Sequence, residues 1–526
     1  MQSVFQVLKR GDFAGSRKFA DFEPDPAEAA RRLDEAVHGL RRRAPELSAF
    51  TPLWQWQKRV LISGLALIVC GAALAPEPTL IALLGVLALP FLCVVVLRAL
   101  ALRQLLSPRA SRERPPMLPV ADLPSYTVLV PVFREVAVVA QLVDALRALD
   151  YPRDRLEVFL IVEHADAETR HALREASLEG CMRVLVVPPG APQTKPRAVQ
   201  YALQHATGDL VVIYDAEDIP ERNQLRLAAA AMAEGGEKLA CLQAHLNIYN
   251  SDASWLTRQF TIEYTALFDC ILPTLEELRL PVPLGGTSNH FRRAILENVG
   301  GWDPYNVTED ADLGIRLARH GWHVGVLAST TWEEAPPTFG VWKGQRTRWL
   351  KGWMQTYLVH LREPRRLWQE LGARRFIGLQ VLMGGLILSA LVHPWFYLIV
   401  GYDLWQGRVL ALPNTAFGQW LLGIGLFNLI AGYLSAMALG LAATTRRGKA
   451  RLALHGLLMP AYWLAISFAA YRALFQLARD PYFWEKTEHG TSKPTDASTI
   501  AGDRQVSSSP AKKRSASAEI RCRVSK

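Results

Sequence analysis

Five long apolar runs punctuate the chain, at residues 60–75, 80–97, 376–400, 420–442 and 452–477. Each approaches the roughly 20 residues that a helix needs to cross a bilayer. The turn Pro76-Glu77-Pro78 joins the first two, which predicts a hairpin. Ahead of it, residues 27–43 read as a short, basic, amphipathic helix. The polar block between the second and third runs, about 125–375, has another rhythm. Short β-rich runs at 126–132, 156–162, 183–187, 210–215 and 239–244 alternate with helical patterns at 135–149, 167–176, 198–205 and 224–234. That spacing predicts an α/β domain, a mostly parallel sheet with helices on both faces. Ligands bind beyond the carboxyl ends of such strands, so the polar residues just after each strand are the ones to inspect for chemistry.

Charge gives these elements an orientation. Arg41, Arg42, Arg43, Lys58 and Arg59 precede the hairpin, and Arg98, Arg103, Arg109, Arg112 and Arg114 follow it. The turn between carries no Lys or Arg, so both ends of the hairpin, and with them the polar block, are expected in the cytoplasm. Arg446, Arg447, Lys449 and Arg451 mark the last inter-run loop as cytoplasmic too. Three spans after a cytoplasmic block would leave the basic C-terminal tail outside, against its own charge. A re-entrant or interfacial run would restore the balance, and Pro460 makes the last run a candidate. The first 50 residues hold no hydrophobic stretch, which argues against a cleaved secretory signal. The Ser-, Ala-, Lys- and Thr-rich tail from Thr491 reads as disordered. The expected organisation is a cytoplasmic N-terminal segment (1–55), a membrane hairpin (56–100), the α/β domain ending in an interfacial helix (120–375), further membrane helices (376–480) and a C-terminal segment (481–526).

Composition narrows the class. The 526 residues are 50% hydrophobic and 21% charged, which excludes wholesale disorder and collagen-like repeats. Six cysteines form no CxxC pair and read as reduced, buried thiols. The net charge of +10 is concentrated beside the apolar runs, which points to anionic lipid headgroups and phosphorylated substrates and not to nucleic acid.

Six segments carry candidate chemistry. The first strand ends at Phe133-Arg134-Glu135, the second at Glu163-His164-Ala165-Asp166, and the fourth at Asp215-Ala216-Glu217-Asp218. Carboxylates two apart on such a turn can share a hard divalent cation, Mg²⁺ or Mn²⁺, with substrate phosphate oxygens. Acidic loops are otherwise mostly solvated surface; the buried Leu-Val-Val-Ile-Tyr strand just before this one sets it apart. Next, Thr308-Glu309-Asp310 opens a helix, with Thr308 as a plausible cap and the acids in the first turn. Then Gln345-Arg346-Thr347-Arg348-Trp349 starts an aromatic stripe, Trp349, Trp353 and Tyr357, of the kind found in cores and membrane interfaces. Last, Pro481 to Gly490 contains Trp484, Lys486 and Thr487 just past the final apolar run.

In this order the motifs resemble the family 2 glycosyltransferases of the GT-A fold, above all the membrane-embedded cellulose, chitin, hyaluronan and mannan synthases. The resemblance covers about 125–361 and the flanking spans. It implies a Rossmann-like GT-A domain inserted between transmembrane helices of a multi-pass protein of the cytoplasmic (inner) membrane. It also implies an inverting, metal-dependent transfer of a sugar from a UDP- or GDP-linked donor to a growing polysaccharide, with β-linkages and export. Under it, Glu135, Glu163 and Asp166 would line the nucleotide, with Lys195 beside it. Asp215 and Glu217 would hold the metal and Asp310 would be the catalytic base. Gln345, Arg348 and Trp349 would bind acceptor and diphosphate, Gly285 to His290 would lie by the acceptor terminus, and Trp484, Lys486 and Thr487 would belong to a gating loop. Two positions depart from the family: Glu217 stands where a second aspartate is usual, and Glu163-His164 where paired aspartates are. Two alternatives stand beside this reading, a non-processive transfer to a lipid-linked or other membrane acceptor, and a catalytically silent membrane scaffold.

Overall fold

A computed structural model of the protein describes residues 25–107, 114–407 and 415–485. Lys486, Thr487, Arg109, Arg112 and the Thr491 tail lie outside the described residues. Helix α1 (Pro26–Arg43) precedes the hairpin α2 (Gln55–Leu74) and α3 (Pro76–Leu106). The central domain then runs β1 (Tyr126–Val132), α4 (Val139–Arg147), β2 (Leu156–Glu163), α5 (Ala167–Glu175), β3 (Met182–Val187), α6 (Lys195–Leu203) and β4 (Leu210–Ile213). It continues with β5 (Ile219–Pro220), α7 (Gln224–Glu234), β6 (Leu239–Ile248), α8 (Trp255–Ala266), α9 (Leu272–Glu277), β7 (Asn289–Arg292) and α10 (Arg293–Asn298). Helix α11 (Glu309–Arg319), β8 (His323–Glu333) and α12 (Phe339–His360) complete it. Four helices follow: α13 (Pro364–Leu379), α14 (Gly385–Trp405), α15 (Ala416–Arg446) and α16 (Met459–Arg479).

The eight strands form one sheet in the order β3-β2-β1-β4-β7-β6-β8-β5. Neighbours β1–β2, β2–β3, β1–β4 and β6–β8 are parallel. Strand β7 is antiparallel to both β4 and β6, and β5 is antiparallel to β8, so every strand except β7 and β5 points the same way. The α/β expectation of a mostly parallel sheet holds, with an antiparallel insertion beside β4. Alternation along β1 feeds both faces: Val128, Val130 and Val132 pack with α4 and α7, while Leu129 packs with α6.

Several element ends differ from the sequence reading for local reasons. Arg134 adopts φ 54° and Glu135 φ −121°, so a single helix over 135–149 gives way to a short 3₁₀ turn at Val136–Val138 and then α4. Strand β4 stops at Ile213 because the Asp215 N–H leaves the ladder for the Asp218 carboxylate. Helix α6 begins at Lys195, with Pro196 in its first turn, where the fixed φ of proline suits a helix start.

Among the described residues, five helical stretches are long and apolar enough to cross a membrane: 55–74, 76–106, 364–405, 416–446 and 450–479. Their outward faces carry exposed side chains such as Leu61, Ile62, Leu67, Val86, Leu398 and Phe427, an apolar surface that water does not tolerate at this extent. Both ends of the α2–α3 hairpin rest on the sheet domain: Gln57 Nε2 donates to the Leu358 carbonyl (2.7 Å) and Gln104 Nε2 to that of Pro273 (3.3 Å). The chain turns from the domain towards α14 at Gly372, whose φ of 72° and ψ of 166° favour glycine. It returns at the end of α15, where Arg447 grips Asp269 through Nε (2.6 Å) and Nη2 (2.7 Å).

The fifth stretch behaves differently. Lys449 Nζ donates to the Ile248 carbonyl (2.6 Å) before it, and Lys351 Nζ donates to that of Phe483 (2.7 Å) after it. Midway, the Tyr462 hydroxyl donates to Glu263 Oε2 (2.9 Å). Residues 450–479 are thus tied to the domain at both ends and midway, the arrangement expected of an apolar run that does not cross the bilayer. Cysteines placed at Glu77, Arg451 and Arg479 test this by impermeant thiol labelling in vesicles of both orientations. The expected result is that positions 451 and 479 label from one side and position 77 from the other; opposite labelling of 451 and 479 would show a crossing helix.

The N-terminal segment is part of the same body. Arg362 fans its guanidinium over the carbonyls of Pro45 (3.2 Å), Glu46 (3.0 Å) and Ser48 (2.8 Å), and also reaches that of Thr51.

Candidate active site

The turn after β4 is built by its own acids. The Asp215 N–H donates to Asp218 Oδ2 (2.8 Å) and Thr287 Oγ1 (3.2 Å), and the Thr287 hydroxyl also bonds that Asp218 oxygen. Asp218 is thereby buried beneath the turn, while Asp215 and Glu217 line a cavity of about 750 Å³. Lys195, the first residue of α6, forms an ion pair with Asp215 and donates to the Gly286 carbonyl (2.8 Å). Burial works against its ammonium, but Asp215, Glu309 and Asp310 outweigh it and raise the pKa above the usual lysine range. A Cβ on Gly286 would stand 3.4 Å from Asp310 Oδ2, 3.8 Å from Lys195 Nζ and 3.9 Å from Asp215 Oδ2. The small-residue segment 285–290 therefore meets the acids and the lysine at a point where a side chain would take the space between them.

Asp310 sits in the first turn of α11. Thr308 occupies the N-cap position, yet its side chain makes no cap hydrogen bond and faces Thr356 Oγ1 (3.4 Å) instead. Asp310 Oδ1 accepts from the Ala311 N–H (2.7 Å). Burial pushes the carboxyls of both Glu309 and Asp310 up; for Asp310 the Ala311 N–H, Lys195 and Arg348 pull in the other direction without cancelling the shift.

Helix α12 supplies the basic and aromatic wall. Burial lowers the Arg348 pKa against the pull of Glu309, Asp215 and Asp310, and its guanidinium lies 4.5 Å from the centre of the Trp484 ring. Trp349 stacks on Tyr264 (centroids 5.9 Å apart, 21° between planes). Gln345 is buried with its Oε1 unpartnered, facing the same cavity. Arg346, between these residues, pairs through two nitrogens with Glu263 and ties α12 to α8.

At the other end, Glu135 and Glu163 reach the cavity. Glu163 pairs with buried Arg197; burial raises its carboxyl pKa and Arg197 opposes the rise. Asp166 stands one step back. It caps α5 through Thr169 N–H (3.2 Å) and accepts the Arg134 N–H, which holds the strand-end turn beside Glu135. Glu135, Glu163, Lys195, Asp215, Glu217, Asp310, Gln345, Arg348, Trp349 and Trp484 thus share one cavity.

Two acids escaped the sequence reading. Asp218 was only part of a motif, and Glu333 ends β8, a strand with no clear pattern. Asp218 is buried and Glu333 half-buried, and the buried oxygens Asp218 Oδ1 and Glu333 Oε1 are unpartnered. Burial raises the carboxyl pKa of each, and Asp215 and Glu217 raise both further. An excess of uncompensated carboxylate oxygen of this kind suits a hard divalent cation. Among the described residues no three metal-ligating side chains are gathered into a cage. The donor set therefore fits an ion held by one or two carboxylates and completed by phosphate oxygens, the usual manner for Mg²⁺.

Residues 124–352, which build the sheet and most of this cavity, match the family described as Glycosyltransferase like family 2. These residues carry a family 2 glycosyltransferase domain, built on the mixed α/β sheet and flanked by long apolar helices. It is 31% identical over 235 residues to "Probable glycosyltransferase YdaM" of Bacillus subtilis (strain 168), a match covering 44% of this chain and 56% of that protein. It is 29% identical over 353 residues to "Beta-monoglucosyldiacylglycerol synthase" of Synechocystis sp. (strain ATCC 27184 / PCC 6803 / Kazusa), covering 61% of this chain and 72% of that one. The chain thus spans little more than half the length of the first relative. A solved structure titled "Mannosyltransferase PcManGT from Pyrobaculum calidifontis in complex with GDP-Man and Mn2+" aligns with 76% of this chain and 99% of its own, at 19% identity and a TM-score of 0.48.

Proposed function

We propose that this protein transfers a sugar, with inversion, from a nucleoside diphosphate sugar to an acceptor that enters from the membrane. One observation carries the reading: the cavity that gathers Asp215, Glu217, Asp310, Arg348 and Trp349 continues between α3, α14, α15 and α16, where Leu97, Leu386, Leu439 and Ile466 line it. The nucleotide lies towards Glu135 and Glu163, and the diphosphate towards Lys195 and Arg348. Asp215 and Glu217 would hold a divalent cation, which would supply charge neutralisation for the leaving diphosphate. The acceptor oxygen attacks the anomeric carbon opposite the diphosphate. The bond from that carbon to the diphosphate oxygen breaks, the electron pair leaves on the diphosphate, and the acceptor proton passes to Asp310. A carboxyl whose pKa is raised by burial is a stronger base for that task. The single base, with no second carboxylate serving as nucleophile, gives one displacement and hence an inverted anomer.

The apolar lining of the membrane half suits an acceptor with a lipid tail. Extension and export of a polysaccharide is the second reading, favoured by Trp349 stacked on Tyr264 in the wall, an aromatic pair of the kind on which sugar rings pack. In both readings the enzyme sits in the cytoplasmic membrane with its catalytic domain in the cytoplasm.

The deciding experiment incubates the purified full chain with a panel of UDP- and GDP-sugars, Mg²⁺ or Mn²⁺, and membrane lipid extract. Nucleoside diphosphate release and product size are read together. The expected result is release from one donor, dependent on the lipid, with a single-sugar product. Release from none of the donors would end the transferase reading, and a ladder of long products would favour the polymer.

A further inference from the structure

Arg98 is the feature of the cavity that the transfer chemistry leaves unused. It projects from α3 into the membrane half of the same cavity. Among the described residues its only hydrogen bond goes from Nη1 to the Gly432 carbonyl (3.2 Å), and its guanidinium lies 5.4 Å from the centre of the Trp463 ring. No carboxylate among the described residues pairs with it. The nearby polar groups carry no carboxylate: His393, which also lines the cavity, hydrogen-bonds the Tyr433 hydroxyl (3.1 Å), and Tyr433 stacks on Trp463 (5.1 Å). A guanidinium that lines a cavity at the edge of the apolar helices, with no carboxylate partner, is left to meet an anionic ligand.

Its depth narrows the ligand. Arg98 lies 22 residues (98 − 76) beyond Pro76, the start of α3. At 1.5 Å per residue that is roughly 33 Å along the helix, about the thickness of a bilayer's hydrocarbon core. The guanidinium is therefore level with the headgroups of the leaflet nearer the sheet domain. At that level the abundant anion is phosphate, and a planar guanidinium with five N–H donors binds phosphate oxygens in pairs.

We propose that the membrane half of the cavity holds a lipid whose headgroup carries a phosphate, bound by Arg98 with its acyl or isoprenyl chain against Leu97, Leu386 and Ile466. The inference rests on the membrane-acceptor reading above and names the class of that acceptor. A phosphate diester of a glycerophospholipid and a phosphate monoester on a polyisoprenol share this chemistry.

The test uses the purified full chain in detergent and native mass spectrometry with three added lipids: dioleoylphosphatidylglycerol, a polyisoprenyl phosphate, and neutral dioleoylglycerol. Wild type is expected to retain at least one phosphate lipid about tenfold more than dioleoylglycerol, the scale set by one charged hydrogen-bonding contact. Arg98→Gln should lose that preference and Arg98→Lys recover part of it, with retention of the nucleoside diphosphate unchanged as the check on folding. Preference for the monoester or the diester identifies the source. Equal retention of all three lipids by wild type, which needs no variant to fold, would overturn the inference, as would an Arg98→Gln variant that keeps the preference. Sugar transfer to dioleoylglycerol with no phosphate preference would end this inference and leave the transferase reading intact. Lipid preference without turnover of any sugar nucleotide would do the reverse.

Discussion

Asp310→Asn is expected to lower turnover by at least ~10²-fold, the size of a lost general base, while donor affinity stays nearly constant. The geometry separates the two effects. Asp310 meets Lys195 and Asp215 across the space left by Gly286, so it faces the reacting centre, while Glu135 and Glu163 line the far end of the cavity. Asparagine keeps the shape and can still accept the Ala311 N–H, so the first turn of α11 is preserved. A purely structural residue at this position gives another pattern, because asparagine is well tolerated at helix starts. Turnover and nucleoside diphosphate affinity, measured on one preparation, decide between them. Near-normal turnover would leave Asp310 a structural residue and sink the general-base assignment.

The second large effect concerns the acids after β4. Chelation of divalent cations should abolish activity of the wild type, and Asp215→Asn should cost several kcal/mol of transition-state stabilisation, on the order of 10³-fold in turnover. The variant carries a side effect that must be measured alongside. Asp215 neutralises Lys195, and breaking a buried pair costs roughly 3–5 kcal/mol of stability. The Asp215 side chain remains 29% exposed, so the penalty here falls below that range. Thermal unfolding of Asp215→Asn separates loss of fold from loss of metal, and excess Mn²⁺ should restore part of the activity. Activity indifferent to chelator in the wild type would end the metal assignment.

How much of this was legible in the sequence depended on which residues spoke for themselves. Strands β1 to β4 and the start of β6 read directly, because their apolar runs are bounded by turns. Strands β7 and β8 did not, because they bury polar side chains against one another. In β7, His290 Nδ1 and the Tyr126 hydroxyl share a hydrogen bond (2.6 Å) inside the sheet. In β8, Ser329 and Thr331 both engage Gln224 from α7. A period-two hydrophobic pattern does not see such a network, so the antiparallel insertion went unread. The candidate site divides in the same way. Asp215, Glu217, Asp310, Arg348 and Trp349 stand in short motifs whose spacing speaks for itself. The Lys195–Asp215 pair, the approach of Gly286 and the place of Glu333 in the cavity wall join residues from different elements, and only the folded chain brings them together. The last apolar run is a similar case. Hydropathy sets its length, while only the folded chain brings Lys449, Tyr462 and Lys351 to bonds that tie it to the sheet domain.

The grip of Arg362 on the carbonyls of residues 45–51 spans up to 317 positions of sequence. A ribosome must therefore make the whole first hairpin and the whole sheet before the opening segment can dock. Until then residues 45–51 wait without Arg362, although α1 can already meet α6 through Arg32 and Gln204, and loop closure over the longer distance comes late in folding. A fragment cut to the glycosyltransferase match alone, 124–352, contains neither side of this clasp. The catalytic sheet is thus one part of a longer cooperative body, fastened at its rim by the chain that precedes it.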